Sequence, residues 1–263
     1  MKIAVVTGAA GAIGTDICAR LNDRGYHVVA VDVDAAGLDR LPDPATRLCL
    51  DLTDPGFHEG VVAAVDALGG RCEVLVNNAG IVVTRPFEQV TAEEARREQL
   101  INLQAPMQLS RALYPALRRV PGRIVSVVSL GAMMPLAESA GYSASKAGLR
   151  AFMLALAMLE GRTGVRVSMV NPGAVDTPML RHEAADGGSA LNFLSRPLRP
   201  DTVARAVVAN LDRPRLETNL PRYDGWLLKA AGLAPGVLPR LRPLLERLAQ
   251  PGLRRYRRQQ GIR

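Results

Sequence analysis

Lysine is almost missing from this chain: of 33 basic residues only Lys2, Lys146 and Lys229 are lysines, and the rest are arginines. Cysteine and aromatic residues are also scarce, at three cysteines and 4% aromatics. Cys18, Cys49 and Cys72 are odd in number, widely spaced and without a CxxC pair. That pattern argues against a disulfide framework or a cysteine-held metal, and no metal site is expected; the three read as free, mostly buried thiols in a reducing, cytoplasmic setting. No apolar run approaches the roughly 20 residues of a membrane-spanning helix. Met1-Lys2 leads straight into Ile3–Val6, so no secretory signal is expected.

What is present is enough apolar material for one sizeable core: 263 residues, 48% of them hydrophobic. Short Val- and Ile-rich runs recur at Ile3–Val6, Val28–Val31, Leu48–Leu50, Val74–Val76, Ile124–Val128 and Val165–Val170. Such runs suit strands buried on both faces. Segments with helical spacing lie between them, among them Glu93–Leu117 and Ala144–Leu159. The alternation predicts an α/β fold, a doubly wound parallel sheet of about seven strands with helices on both faces. The seventh strand falls near Glu217–Leu220. Residues 1–220 read as one domain and 221–263 as a helical extension, which prolines 235, 239, 243 and 251 cut into short pieces, including Val237–Leu248.

The net charge of +8 sits almost wholly in that extension. From Val237 to Arg263 there are eight arginines and one acid, Glu246. Its leucines and Trp226 admit two readings: packing on the domain or a second subunit, or contact with an anionic membrane surface. Nucleic acid is not expected, because the arginines lack interleaved aromatics beyond Tyr256.

After the first strand the chain reads Thr7-Gly8-Ala9-Ala10-Gly11-Ala12-Ile13-Gly14. Small residues allow a pyrophosphate to approach the backbone, and the next helix offers free N–H groups and its positive dipole end. A tight turn without a ligand would look the same. Asp32 ends the second strand, where a carboxylate accepts from ribose hydroxyls of NAD and repels the 2′-phosphate of NADP; NAD is therefore expected over NADP. Asp51-Leu52 suits either an adenine-edge contact or, with Asp54, a helix cap.

Tyr142-Ser143-Ala144-Ser145-Lys146 opens a helical segment, so phenol and ammonium share one face. A nearby cation favours phenolate and lowers the tyrosine pKa toward working pH, which suits proton exchange with a substrate oxygen while hydride moves at carbon. Chance would place only about 0.06 Tyr-x-x-x-Lys pairs in a chain of this composition. An arginine-rich chain that uses lysine here points to a chemical requirement for a compact ammonium.

With these motifs the chain resembles the short-chain dehydrogenase/reductase family over about Lys2 to Leu220. The likeness rests on TGAAGAIG at 7–14, Asp32, Asp51-Leu52, NNAG at 77–80, Asn102, Ser129, YSASK at 142–146, and Asn171-Pro172-Gly173 with Thr177. The resemblance implies a Rossmann fold and an oxidoreductase that interconverts a secondary alcohol and a ketone. Tyr142 would be the acid/base, Lys146 would tune it and hold the nicotinamide ribose, Ser129 would bind the substrate oxygen, and Asn102 would hold a relay water. Gly8, Gly11, Ala12, Ile13 and Gly14 would meet the pyrophosphate, with Asp32, Asp51, Leu52, Asn77, Ala79 and Gly80 along the adenosine. Pro172, Gly173, Val175 and Thr177 would fix the nicotinamide end. The chain departs from the pattern at Ala12, which stands where the family has its middle glycine, and at Val127-Val128, where a second serine is frequent.

Met179–Pro200 is expected as a flexible substrate lid, with Met133, Met134, Met179 and Leu180 either lining an apolar pocket or lying in the core, and with His182 as an exposed loop residue. The resemblance further implies pairing through helices Ala92–Arg119 and Tyr142–Gly161, as a homodimer or homotetramer. Membrane contact through the extension would suit a lipophilic alcohol or ketone. The alternatives to catalysis are an NAD-sensing binding protein or a membrane-surface scaffold.

Overall fold

The computed structural model describes residues 1–231 and 235–262. Leu233 and Arg263 of the extension, and the side chains of Trp226, Leu227 and Leu238, lie outside the described set.

Among the described residues seven strands form one parallel sheet. They are β1 (Lys2–Thr7), β2 (Tyr26–Asp32), β3 (Ala45–Cys49), β4 (Val74–Asn77), β5 (Arg123–Val127), β6 (Arg166–Pro172) and β7 (Glu217–Leu220). Their order is β3-β2-β1-β4-β5-β6-β7. The helices in chain order are α1 (Ala12–Asn22), α2 (Ala35–Asp39), α3 (Phe57–Ala67), α4 (Ala92–Gln99), α5 (Ala105–Arg118) and α6 (Ala140–Ala157). They continue as α7 (Glu160–Thr163), α8 (Pro178–Ala185), α9 (Pro200–Asp212), α10 (Arg222–Ala231) and α11 (Leu238–Gln260).

The strands are apolar without interruption because both faces are covered. Ala4, Val6, Val28, Ala30 and Val76 pack with Ile17 and Leu21 of α1 and Val203 and Val207 of α9. Their neighbours Ile3, Val5, Val29, Val31 and Leu75 turn to the other side, against Val61 of α3, Leu109 and Leu113 of α5, and Met153 of α6. Each buried valine or leucine contributes about 1.5–3 kcal/mol. The edge strand departs from this pattern. β3 covers Ala45–Cys49, not Leu48–Leu50, since its register begins at Val28↔Ala45 and only one of its sides is paired. β6 extends beyond the expected Val165–Val170 to Pro172, which pairs with Leu220 of β7.

The expected single helix over 92–119 is helical throughout but carries a π-helical turn at Leu100–Gln104 between α4 and α5. Thr91 opens α4 with a capping box, its Oγ1 accepting from Glu94 N at 3.2 Å while Glu94 accepts from Thr91 N at 3.0 Å. Pro106 has no N–H to donate to the carbonyl of Asn102 four residues back, so the regular ladder is interrupted there.

The largest departure is in the extension. The prolines predict short pieces ending near Leu248, yet α11 runs for 23 residues through Pro243 and Pro251. An interior proline costs about 3 kcal/mol in helix propensity. Packing offsets it: Ala249, Leu253 and Tyr256 are buried against Leu180, Ala184, Ala190 and Phe193. The Phe193 and Tyr256 rings lie 5.0 Å apart. Tyr256 Oη donates to Asp176 Oδ1, and Arg257 Nε to the Ala184 carbonyl, each at 2.7 Å. The segment 179–200 is therefore not a free lid but α8 and a 3₁₀ turn (Ala190–Phe193), both seated under α11.

That packing is tested at Gly252, where a β-carbon would overlap the Phe193 carbonyl oxygen. Gly252→Ala should force helix and turn apart and destabilise the protein by about 1–3 kcal/mol, lowering the melting temperature by several degrees. An unchanged melting curve would show that α11 does not hold this segment.

Candidate active site

Every strand of a parallel sheet ends on the same edge, and the order reverses between β1 and β4. A cavity of about 840 Å³ lies there, at the carboxyl ends of the strands. Gly8, with φ +64°, turns the chain out of β1; a β-carbon on it would come within 2.8 Å of Ala79 Cα. The loop then delivers α1 with Gly11 as an N-cap that has no side-chain hydrogen bond. An uncapped N-terminus leaves backbone N–H groups unpaired, and Gly11, Ala12 and Ile13 line the cavity at that point. Gly14 does not line it: a β-carbon there would overlap the Gly8 carbonyl oxygen, so this glycine packs helix against loop.

Asp32 lines the cavity at the end of β2, its carboxylate accepting from Ala10 N at 2.9 Å and Asp34 N at 3.1 Å. Asp51 and Leu52 follow along the same wall. Thr53 donates to Asp51 Oδ1 from both N and Oγ1 at 2.8 Å, and Arg97 donates to Oδ2 at 3.2 Å. Burial works upward on this carboxyl, but the Thr53 bonds and the Arg97 charge prevail and hold it below the ordinary carboxylate value. Neither Asp51 nor Asp54 caps α3, whose N-cap is Gly56.

After β4 the structure corrects one assignment. Asn77 is buried, with Nδ2 directed to Ser110 Oγ and Ser126 Oγ at 3.4 and 3.3 Å, and so serves the core rather than an adenosine surface. Its neighbour Asn78 lines the cavity with Ala79 and Gly80, and donates from Nδ2 to the carbonyls of Thr7 and Gly8. Pro172, Gly173, Val175 and Thr177, after β6, complete this end. Thr177 also caps α8, accepting from Leu180 N at 3.4 Å.

Ser129, Tyr142 and Lys146 come together on the opposite wall. Ser129 follows β5 and its Oγ accepts from Gly131 N at 2.9 Å. Ser126, three residues back, is buried in the core, so Ser129 is the serine that this strand brings to the site. Lys146 Nζ donates to the Val127 carbonyl at 3.2 Å and stands 5.7 Å from the centre of the Tyr142 ring. Asn102 is fully buried and does not line the cavity. Its Oδ1 accepts from Ile81 N at 2.9 Å, and its Nδ2 donates to the Ile81 carbonyl and to Ser145 Oγ. The Asn102 side chain thus fastens Ile81 to Ser145 of α6.

The electrostatics differ from the expected simple acidification. Burial pushes the Tyr142 phenol well above its ordinary value; a hydrogen bond with Ser129 works downward, and the charges of Glu183 and Glu98 work upward. Burial lowers Lys146 to about 8, opposed by Glu98. Glu98 is itself only 2% exposed and accepts from Val83 N at 2.8 Å. Burial raises its carboxyl, while the Val83 bond and the Lys146 charge lower it.

Met134, Met179 and Leu180 line the cavity, whereas Met133 does not. Sequence reasoning passed over Glu183 and Asn192 of the segment under α11, and Leu228, Leu241 and Leu245 of the extension, which also line it. No local motif marks them, because folding back of the extension brings them there. His182 is exposed, as expected, but on α8, facing Asp186 at 2.8 Å. The free cysteines divide: Cys18 and Cys72 are buried, each thiol pushed up to about 12 by burial, while Cys49 is exposed.

Residues 2–187 match the family model for short chain dehydrogenases. Acetoacetyl-CoA reductase of Acinetobacter sp. (strain RA3849) is 33% identical over 220 residues, 79% of this chain and 89% of that protein. The 3-oxoacyl-[acyl-carrier-protein] reductase FabG of Escherichia coli (strain K12) is 34% identical over 68% of this chain and 76% of its own. Among solved structures, a short-chain dehydrogenase from Streptomyces avermitilis superposes with a TM-score of 0.76 at 28% identity, covering 92% of this chain and 96% of that one. A 3-ketoacyl-(acyl-carrier-protein) reductase from Brucella melitensis, complexed with NADH, superposes with a TM-score of 0.71 at 28% identity, covering 83% and 96%. The chain belongs to the short-chain dehydrogenase/reductase family of oxidoreductases.

Proposed function

We propose that the protein interconverts a secondary alcohol and a ketone with NAD, on a substrate of lipophilic character. The observation that carries this reading is that Ser129, Tyr142 and Lys146 share one cavity with the uncapped start of α1 and with Asp32. These residues fit a dinucleotide: the N–H groups of Ala12 and Ile13 suit a pyrophosphate, Asp32 suits ribose hydroxyls, and Pro172 to Thr177 border the far end. A bound nicotinamide supplies or accepts the hydride. Ser129 Oγ donates to the substrate oxygen and steadies charge on it. Tyr142 gives that oxygen its proton in reduction and removes it in oxidation. Because the buried phenol resists ionisation, the charge favouring phenolate comes from the Lys146 ammonium, and Glu98 helps keep that lysine protonated. In this reading the relay water is held at the main-chain carbonyl of Asn102, whose side chain is already engaged by Ile81 and Ser145.

Asp32 supports NAD over NADP because its carboxylate would face a 2′-phosphate. Exposed Met107 on α5 supports pairing of two copies through α4–α5 and α6. The buried, inert thiols of Cys18 and Cys72 suit a cytoplasmic enzyme. Contact with a membrane surface belongs to the same reading: Leu241, Leu244 and Leu248 form an exposed stripe on α11 beside the exposed Arg240 and Arg247. Leu241 also lines the cavity, which would place its mouth near a lipid phase.

Three measurements test the parts of this reading. Tyr142→Phe should leave NADH binding, followed by fluorescence, near normal while lowering kcat on a ketone panel by about 10²–10⁴-fold; equal turnover would refute the assignment. Asp32→Asn, which removes the charge and keeps an acceptor, should lower the NAD-to-NADP ratio of kcat/KM about tenfold, a change of about 1.4 kcal/mol. A wild-type enzyme that already prefers NADP would dispose of the coenzyme assignment. Leu244 and Leu248 are 56% and 62% exposed, so replacing both with glutamate should spare the fold. Co-sedimentation with phosphatidylglycerol vesicles should fall severalfold in that variant, and a wild-type protein that stays in the supernatant would end the membrane proposal.

A further inference from the structure

Helix α8 has three faces, each defined by residues four apart. Leu180 and Ala184 are buried against α11, and His182 and Asp186 form an exposed pair. Met179 and Glu183 line the cavity that contains Tyr142. Glu183 is thereby carried into a chamber bounded mainly by Met134, Leu136, Leu191, Leu194 and Leu245, whose other polar groups on this side are Asn192, Arg196 and the hydrogen-bonded pair Ser195 and Asp224. Asn192 Nδ2 donates to its Oε2 at 2.9 Å. Among the described residues no cation pairs with this carboxyl, and Oε1 is left for another partner.

The arrangement is held from outside. Asn192 belongs to the 3₁₀ turn whose Phe193 packs on Tyr256 of α11. The turn begins at Ser189, 2% exposed, whose Oγ accepts from Leu191 N at 3.4 Å. The amide that orients the carboxyl is therefore placed by the core between α8 and α11, not by the catalytic residues.

We propose that Glu183 and Asn192 form a second recognition point, which takes a hydroxyl group carried on the apolar body of the substrate away from the reacting carbon. This rests on the ketone/alcohol reading above and narrows it: the substrate class is a hydroxyketone, or the corresponding diol, with an otherwise hydrocarbon surface. Burial raises the Glu183 carboxyl to about 7, with the Asn192 bond working downward. Near neutrality it therefore exists both as an acceptor and as a donor, and a hydroxyl complements either form. An ammonium would share the chamber with Lys146 and the exposed Arg196, and the other carboxylate on this side, Asp224, already accepts from Ser195 Oγ at 3.3 Å, so an ammonium is disfavoured. A purely hydrocarbon substrate would bury the carboxyl with Oε1 unpaired, which is costly. A hydroxyl donating to Glu183 also draws its charge away from Tyr142, whose phenol that charge now holds up.

The test compares a medium-chain ketone with the same ketone bearing a hydroxyl at successive carbons, by NADH oxidation with the full-length enzyme. At least one hydroxyketone should exceed its parent by about tenfold or more in kcat/KM, as expected of a hydrogen bond to a charged group. Glu183→Leu should bring that ratio close to one, and Glu183→Gln, which keeps the shape and both kinds of hydrogen-bonding atom, should retain part of it. A wild-type enzyme indifferent to the hydroxyl, a ratio that survives Glu183→Leu, or a preference for the matching aminoketone would overturn the proposal. In each of these cases the plain ketone is still consumed. If no ketone is consumed by wild-type enzyme, the oxidoreductase reading itself fails and this subsite falls with it.

Discussion

A parallel sheet that buries both of its faces has little freedom in where it places its loops. Helices must cover each side, every connection must cross over, and all strands then finish on one edge. Here the loops after β1, β2, β4, β5 and β6 meet at the reversal between β1 and β4. Gly8, Asp32, Gly80, Ser129 and Gly173 are far apart in the chain and adjacent around the cavity for that reason. The same constraint explains the valine-rich strands, since alternate residues of one strand serve two different cores.

Burial also sets the chemistry. The phenol, the ammonium and two carboxyls share a region poor in water, and each is displaced toward its neutral form. Charge in such a site is governed by neighbours: Glu98 works to keep Lys146 protonated, and Ser129 favours the phenolate. Tyr142 and Lys146 therefore belong to a four-group network with Glu98 and Glu183.

The extension changes what the substrate side can be. A loop left to itself would admit many shapes, whereas α11 seats α8 and the 3₁₀ turn through Ala249, Leu253 and Tyr256. It also supplies Leu241 and Leu245 to the cavity wall. Leu191, Leu194, Leu228, Leu241 and Leu245 of this wall come from outside the segment matched by the family model, which ends at residue 187. Selectivity can thus vary without disturbing the reacting groups.

Much of this was legible in the sequence, because its signals are local. Strand runs, the glycine turn, the end of β2 and the Tyr-x-x-x-Lys spacing each state a backbone or side-chain relation within a few residues. They settle the α/β class, the parallel sheet and the pairing of Tyr142 with Lys146, whereas Ser129 is indicated by the family resemblance. Asn77 and Asn102 illustrate the boundary: their positions follow from the motifs, but the direction of each side chain was decided by Ser110, Ser126 and Ile81, which no motif links to them. The course of α11 through two prolines, and the arrival of Glu183 in the cavity that contains Tyr142, lie wholly on the tertiary side. Both depend on apolar surfaces distant in sequence burying one another, and that free energy outweighs the local preferences from which a sequence is read.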